Sequence, residues 1–304
     1  MRLGIFELMN RIFFKLTVSL PPTLPHLTQA RAELTQSIQA VNAQGEQQSL
    51  NIPCERALTI YLDNKEIVTL MTLGAHPEWL VLGYLRNQRL VSQPQDLDSI
   101  TVDWTAGEHG AGVAAVKTRP RHAEGLSPAT NPIPIKTGIT ITSGCGQGSL
   151  YSHLFDELKA MTLPKATIER EEVFDIVNTV RLQESTYKSA GSVHSCVLFN
   201  ATQPLIFVED VGRHNAIDTI AGWLWMNPQW SQDPYFRPIF YTTGRLTSEM
   251  ILKSAQLSVP IIISRSGITQ MGLELALELD MCCVGRALNQ SFLCYSALYR
   301  LQMA

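Results

Sequence analysis

The stretch that most constrains the fold is Val208-Glu209-Asp210-Val211-Gly212-Arg213-His214-Asn215-Ala216-Ile217-Asp218. Before it, Pro204-Leu205-Ile206-Phe207-Val208 is a short apolar run of strand character. After it, Ile217, Ile220, Ala221 and Leu224 recur at helical spacing. The stretch therefore reads as a strand-to-helix turn. It gathers two carboxylates, a guanidinium, an imidazole, an amide and a glycine beside a helix start, whose first N–H groups suit an anion such as phosphate. The blander alternative is a capped helix start, with Asp210 or Asn215 as N-cap and Arg213 paired to a neighbouring acid.

Around this turn the chain alternates between strand and helix. A strand within Gly191–Phe199 would deliver His194 near the signature helix, although a lone histidine beside an apolar strand is more often a satisfied core residue. A strand at Ile239–Thr242, a helix from about Thr247 to Leu257, a strand at Val259–Ile263, a helix from Met271 to Leu279 and a final strand at Met281–Val284 follow. Such alternation predicts a layered α/β sheet with at least partly parallel strands. The turn at Thr242–Glu249 repeats the signature's logic, since Gly244 permits close approach and Arg245 offers a fork for phosphate. Two such turns on adjacent strands would face one crevice at the carboxyl edge of the sheet. Ser264–Thr269 forms a third turn of the kind, and Thr247 as an ordinary N-cap is the competing reading.

Towards the N-terminus the pattern is different. Residues 58–62, a turn at Asp63-Asn64 and residues 67–71 read as a hairpin. Pro77 starts an amphipathic helix through Leu80, Leu82 and Leu85, and strands follow near 99–104 and 112–117. Arg119–Pro134 carries four prolines and reads as a loop, after which Ile139–Thr142 rises towards Cys145. Residues 151–188 read as helices. Residues 1–20 are apolar and basic, but Glu7, Asn10, Arg11 and Lys15 interrupt them, so neither a signal peptide nor a membrane span is expected and a cytoplasmic location is. Residues 21–50 have linker composition. The expected layout is an extension and linker over 1–50, a small β-rich domain over 51–135 and an α/β domain over 136–304.

The most reactive-looking segment lies within 142–149, where Ser143-Gly144-Cys145-Gly146-Gln147-Gly148-Ser149 sets one thiol among three glycines. Successive backbone N–H groups can stabilise a thiolate there. An incidental thiol on a glycine-rich turn is the alternative. The other cysteines, Cys54, Cys196, Cys282, Cys283 and Cys294, sit in apolar surroundings, a usage that fits a reducing compartment. A net charge of −3 with 17% charged residues gives no surface suited to nucleic acid, so any phosphate site must be local.

These segments, taken in order, carry a resemblance. Pro53-Cys54-Glu55-Arg56-Ala57-Leu58-Thr59-Ile60, Thr142-Ser143-Gly144-Cys145-Gly146, Gly191-Ser192-Val193-His194, the 208–218 signature with Gly222, Thr243-Gly244-Arg245-Leu246 with Glu249 and Lys253, and Val284-Gly285 with Tyr295 together resemble the FdhD family of sulfurtransferases that assist formate dehydrogenases. The resemblance implies a cytidine-deaminase-like layered α/β domain beside a smaller β-rich N-terminal domain. It further implies that Cys145 is the catalytic residue, taking sulfur as a persulfide from a cysteine desulfurase and passing it to a molybdenum bis-pterin-guanine-dinucleotide cofactor for formate dehydrogenase. A homodimer is also implied. Cofactor contacts would fall to His194, Gly212, Arg213, His214, Asn215, Gly244 and Arg245, and to Arg286, Ala287, Leu288, Asn289, Gln290 and Ser291. Two departures stand out: the loop has Gly148 where family members often have a second cysteine, and Leu288 stands where an arginine is expected. They motivate the alternative of a cofactor-binding chaperone that transfers no sulfur. A zinc deaminase is disfavoured because the His-x-Glu and Pro-Cys-x-x-Cys ligand pattern is absent, so no zinc is expected.

Overall fold

The computed structural model describes residues 23–107, 111–120 and 161–303, with the backbone alone of 139–141. The N-terminal part comprises β1 (His26–Leu27), β2 (Thr35–Val41), β3 (Gln47–Pro53), β4 (Arg56–Leu62), β5 (Lys65–Thr72), helix α1 (Pro77–Asn87), β6 (Leu97–Asp103), β7 (Gly112–Thr118) and β8 (Ile139–Ile141). Six of these strands form one sheet in the order β1-β6-β7-β4-β5-β8. The expected hairpin is β4–β5. Its two turn residues, Asp63 and Asn64, both have positive φ (47° and 67°), the combination that matches the twist of the flanking strands. Leu80, Leu82 and Leu85 of α1 are buried against Leu58, Ile60, Leu70 and Ile100 of the sheet.

Two features depart from the sequence reading. Residues 23–50, read as linker, contain β1, β2 and most of β3, and β2 pairs antiparallel with β3 from Thr35↔Pro53 to Val41↔Gln47. That ribbon is polar and mostly exposed, with Ser37 and Ser49 hydroxyls 3.0 Å apart across it, so no apolar periodicity marks it. In addition β8, beyond residue 135, joins the N-terminal sheet by pairing parallel with β5, Val68↔Ile139 to Leu70↔Ile141.

The C-terminal part runs β9 (Ile168–Glu169), α2 (Arg170–Leu182), α3 (Thr186–Ala190), β10 (His194–Asn200), β11 (Gln203–Asp210), α4 (Arg213–Met226), α5 (Pro228–Gln232), β12 (Pro238–Thr242), α6 (Ser248–Gln256), β13 (Ile261–Ser264), α7 (Gln270–Glu278), β14 (Cys282–Leu288), β15 (Ser291–Ser296) and β16 (Leu301–Gln302). The second sheet has the order β11-β10-β12-β13-β14-β15. Strands β12, β13 and β14 are parallel, β10 is antiparallel to both its neighbours, and β15 is antiparallel to β14. Alternate residues serve opposite faces. Cys196, Leu198, Phe240, Ile262 and Cys283 pack under α4, α6 and α7, whereas Val197, Phe199, Ile239, Tyr241, Ile261 and Ile263 pack against α2. The sequence reading ended this sheet at residue 284. The strand instead continues to Leu288 and returns as β15, and the chain at 161–167, expected to be helical, holds no helix and carries Pro164, which lacks the donor a helix needs.

Helices α1 and α4 join the two sheets at a glycine crossing. A Cβ placed on Gly83 would lie 1.7 Å from the Asp218 carbonyl oxygen, and one on Gly222 would lie 2.0 Å from the Trp79 carbonyl oxygen. Only two glycines let these backbones approach so closely.

Candidate functional site

Strand direction gathers the sequence-marked segments at one edge. The carboxyl ends of β11, β12, β13 and β14 and the amino end of antiparallel β10 all lie there, as the pairs His194↔Asp210, Cys196↔Thr242, Thr242↔Ser264 and Ile263↔Val284 require. The expected adjacency is different in one respect. The signature turn and the Gly244 turn do not follow neighbouring strands, because β10 lies between β11 and β12 and brings His194 in between. Thr243 is fixed beside β10, its N–H donating to the Ser195 carbonyl (3.0 Å) and its Oγ1 accepting from Ser195 N–H (3.0 Å).

In the signature turn Asp210 is a buried hub. Its Oδ1 accepts from Gly212 N–H (2.9 Å) and Asn215 Nδ2 (2.9 Å), and its Oδ2 accepts from Thr72 Oγ1 (2.5 Å) and Leu73 N–H (3.1 Å). Asn215 Nδ2 also donates to the Met71 carbonyl (2.7 Å). The turn is thus pinned to the end of β5 in the other sheet. Burial pushes the Asp210 carboxyl up to about 6, against the four donors that favour its charged form. The N-cap of α4 is Gly212, with no side-chain cap bond, rather than Asp210 or Asn215. Glu209 is committed elsewhere too, accepting from Ser195 Oγ (3.0 Å) and from the N–H groups of Thr186 and Tyr187 (2.6 and 3.1 Å) at the start of α3.

With these acids engaged, the groups left facing the edge are mainly cationic or neutral. Arg213 packs against Gly244, where an added Cβ would meet its Cδ at 2.8 Å. Burial and the neighbouring Arg245 press the Arg213 pKa down, with Glu249 opposing them in part, a sign that the two guanidinium groups are close. Burial, then Arg213 and Arg245, lower the pKa of His194. Among the described residues Arg213, Arg245, Arg265 and Arg286 form no ion pair. Such an edge is complementary to an anion with several negative oxygens.

Behind it runs a buried polar chain. Lys253 Nζ donates to Asp218 Oδ2 (2.7 Å) and stands 3.7 Å from Glu249 Oε1, while Asn87 Nδ2 donates to Asp218 Oδ1 (2.6 Å). His214 Nε2 lies 3.2 Å from Glu249 Oε2, but the approach lacks hydrogen-bond geometry and the nitrogen has no hydrogen-bond partner among the described residues. Burial, reinforced by Lys253, Arg213 and His194, drives the His214 pKa down to about 2, so the imidazole is neutral at physiological pH.

The remaining sequence-marked residues divide. Arg286 follows Gly285 at the same edge, where its N–H donates to the Ser266 carbonyl (2.8 Å) and its side chain is exposed. Ala287 points into the core and Leu288, Asn289, Gln290 and Ser291 are exposed on the β14–β15 turn. Cys145 and the loop 142–149 lie outside the described residues. Among the described residues no group of three or more His, Cys, Asp or Glu side chains could hold a metal ion, and no helix is long and apolar enough to cross a membrane. Sequence reasoning missed Thr72 and Leu73, whose contact with Asp210 spans 138 and 137 residues of chain and leaves no local signal.

Comparison with known proteins identifies relatives of the chain as a whole. Residues 53–302 match the FdhD/NarQ family. The chain is 30% identical over 232 residues to the sulfur carrier protein FdhD of Halalkalibacterium halodurans, covering 76% of this chain and 81% of that protein. It is 28% identical over 243 residues to the sulfur carrier protein FdhD of Bacillus subtilis, covering 80% and 87%. A crystal structure from Desulfotalea psychrophila, described as a formate dehydrogenase accessory protein, superposes with a TM-score of 0.66 at 22% identity, covering 89% of this chain and all of that one.

Proposed function

Because the chain belongs to the FdhD/NarQ family, we propose that it is a sulfurtransferase serving formate dehydrogenase, with Cys145 as the carrier and the molybdenum bis-pterin-guanine-dinucleotide cofactor as substrate. The observation that carries this reading is the cationic edge built by Arg213 and Arg245 with His194, His214 and Gly244; β8, the last described segment before Cys145 in the chain, pairs with β5 close to the residues that support this edge. Ile141 pairs with Leu70, one and two residues before Met71 and Thr72, which hold Asn215 and Asp210. Cys145 is four residues further on, a span of at most about 14 Å in extended chain.

In the first half-reaction the Cys145 thiolate attacks the outer sulfur of a desulfurase persulfide, and the desulfurase cysteine leaves as thiolate. The outer sulfur would then pass to the cofactor as sulfide: its bond to Cys145 Sγ breaks, Cys145 leaves as thiolate, and a two-electron donor, the reduced metal of the substrate or a dithiol, supplies the electrons, while Arg213 and Arg245 would grip the phosphates in bidentate fashion. Neutral His214, beside Arg213 and Lys253, adds no charge and keeps the pocket cationic without further repulsion. The sheet order β11-β10-β12-β13-β14, with helices on both faces, supports the cytidine-deaminase-like layering for the C-terminal part. A cytoplasmic homodimer acting with a cysteine desulfurase belongs to the same reading.

Gly148 favours a second reading, a chaperone that binds the cofactor without moving sulfur. Reconstitution of formate dehydrogenase separates the two. Wild type should activate the enzyme and Cys145→Ala should not. Arg213→Ala and Arg245→Ala should take up sulfur normally while binding GDP more weakly by on the order of 1.5 to 3 kcal/mol. Full activation by Cys145→Ala would establish the chaperone instead.

A further inference from the structure

Cys282 in β14 and Cys294 in β15 face the same side of the sheet, among Val284, Ala287 and Phe292. Cys282 is buried and Cys294 is half-buried, with the two sulfurs 3.8 Å apart. Their approach follows from a slip in register. Cys283 pairs with Ser296 but Val284 pairs with Cys294, so Tyr295 is an extra residue on β15, and the added local twist draws the diagonal neighbours together. Cys283, next in sequence, points to the opposite face beneath α6 and α7 and cannot compete. Among the described residues β15 is the last strand of its sheet, and Cys294 on it is partly exposed to solvent.

We propose that Cys282 and Cys294 are a redox-active dithiol that closes to a disulfide, stapling β14 to β15 beneath the turn at 286–291. The oxidant is a small-molecule disulfide, RSSR. Cys294 attacks as thiolate, displacing one RS⁻ and forming a mixed disulfide; Cys282 then gives up its proton and attacks the Cys294 sulfur, displacing the second RS⁻. Two thiols lose two protons and two electrons, and the oxidant becomes two RSH. The order of attack follows from the pair's hydrogen bond, which with burial holds the Cys282 thiol up while it lowers Cys294. Closure brings the sulfurs from 3.8 Å to about 2.05 Å, a movement the bulge can absorb. A closed bridge fixes the hairpin whose turn forms one end of the cationic edge, and so places that edge under redox control.

Peptide mapping tests this. The full-length chain is incubated with oxidised glutathione, quenched with iodoacetamide in denaturant and digested with trypsin. Peptides 266–286 and 287–300 should be recovered disulfide-linked, with one alkylated cysteine remaining in the first. Cys283→Ala should give the same link. Cys282→Ser should instead leave glutathione on Cys294, because the resolving thiol is gone. Separate peptides with every cysteine alkylated, glutathione retained on Cys294 in the wild type, or a link that Cys283→Ala abolishes would each overturn the assignment.

Discussion

Burial first, and then Lys253, Arg213 and His194, oppose a proton on the His214 ring, outweighing the Glu249 carboxylate 3.2 Å from its Nε2. The folded-state pKa is depressed from 6.5 to about 2. Between those values the unfolded chain binds a proton that the folded chain refuses, so stability falls as pH drops through that window. From pH 7 to pH 5 this group alone should remove about 2 kcal/mol. His214→Gln lacks the effect. Urea unfolding at the two pH values should therefore show wild type losing about 2 kcal/mol more than the variant; parallel losses would mean that His214 accepts a proton in the folded protein. At this scale the sequence was only partly legible. Arg213, His214, Gly244, Arg245 and His194 could be picked out and do converge. Asn215 was expected to contact the cofactor and Asp210 to be at most an N-cap, yet their polar atoms are engaged with Thr72, Leu73 and Met71, because a buried carboxylate must be satisfied by whatever donors the fold brings, however distant in sequence.

Among the elements, α1 and α4 cross closely because Gly83 and Gly222 carry no side chain. Added methyl groups would collide with backbone carbonyls at 1.7 and 2.0 Å, and backbone cannot move aside as a flexible side chain can. Gly83→Ala and Gly222→Ala should each destabilise by on the order of 3 kcal/mol. Gly267→Ala, with nothing within 4 Å of its added Cβ, should change stability by less than about 0.5 kcal/mol. Thermal unfolding measures all three, and an unshifted midpoint for Gly222→Ala would contradict the close crossing. The strand–helix alternation from residue 194 onwards was readable because each element buries an apolar face of its own period. The β2–β3 ribbon was not, since it buries almost nothing, and β15 was hidden by an exposed, polar approach from Arg286 to Ser291.

Across the whole molecule, two sheets are locked together by the glycine crossing and by the Asp210 hub, which ties the signature turn to the end of β5, the strand that pairs with β8. Sequence could name the turns of the anion site but not its support from the other sheet, because the contacts of Thr72 and Leu73 with Asp210 and the parallel pairing of β5 with β8 are long-range and leave no local pattern. The account stands on Cys145 accepting sulfur. Of the other cysteines, Cys196 and Cys283 are pushed up to about 12 by burial, Cys282 is raised as well, and Cys294 has Cys282 3.8 Å away to displace any sulfur it accepts. Mass spectrometry of the intact protein and its peptides, after incubation with a cysteine desulfurase and cysteine, should find one added sulfur on the peptide containing Cys145, and none in Cys145→Ala. Sulfur on another cysteine, or none on a wild-type protein that still binds the cofactor, would contradict the account.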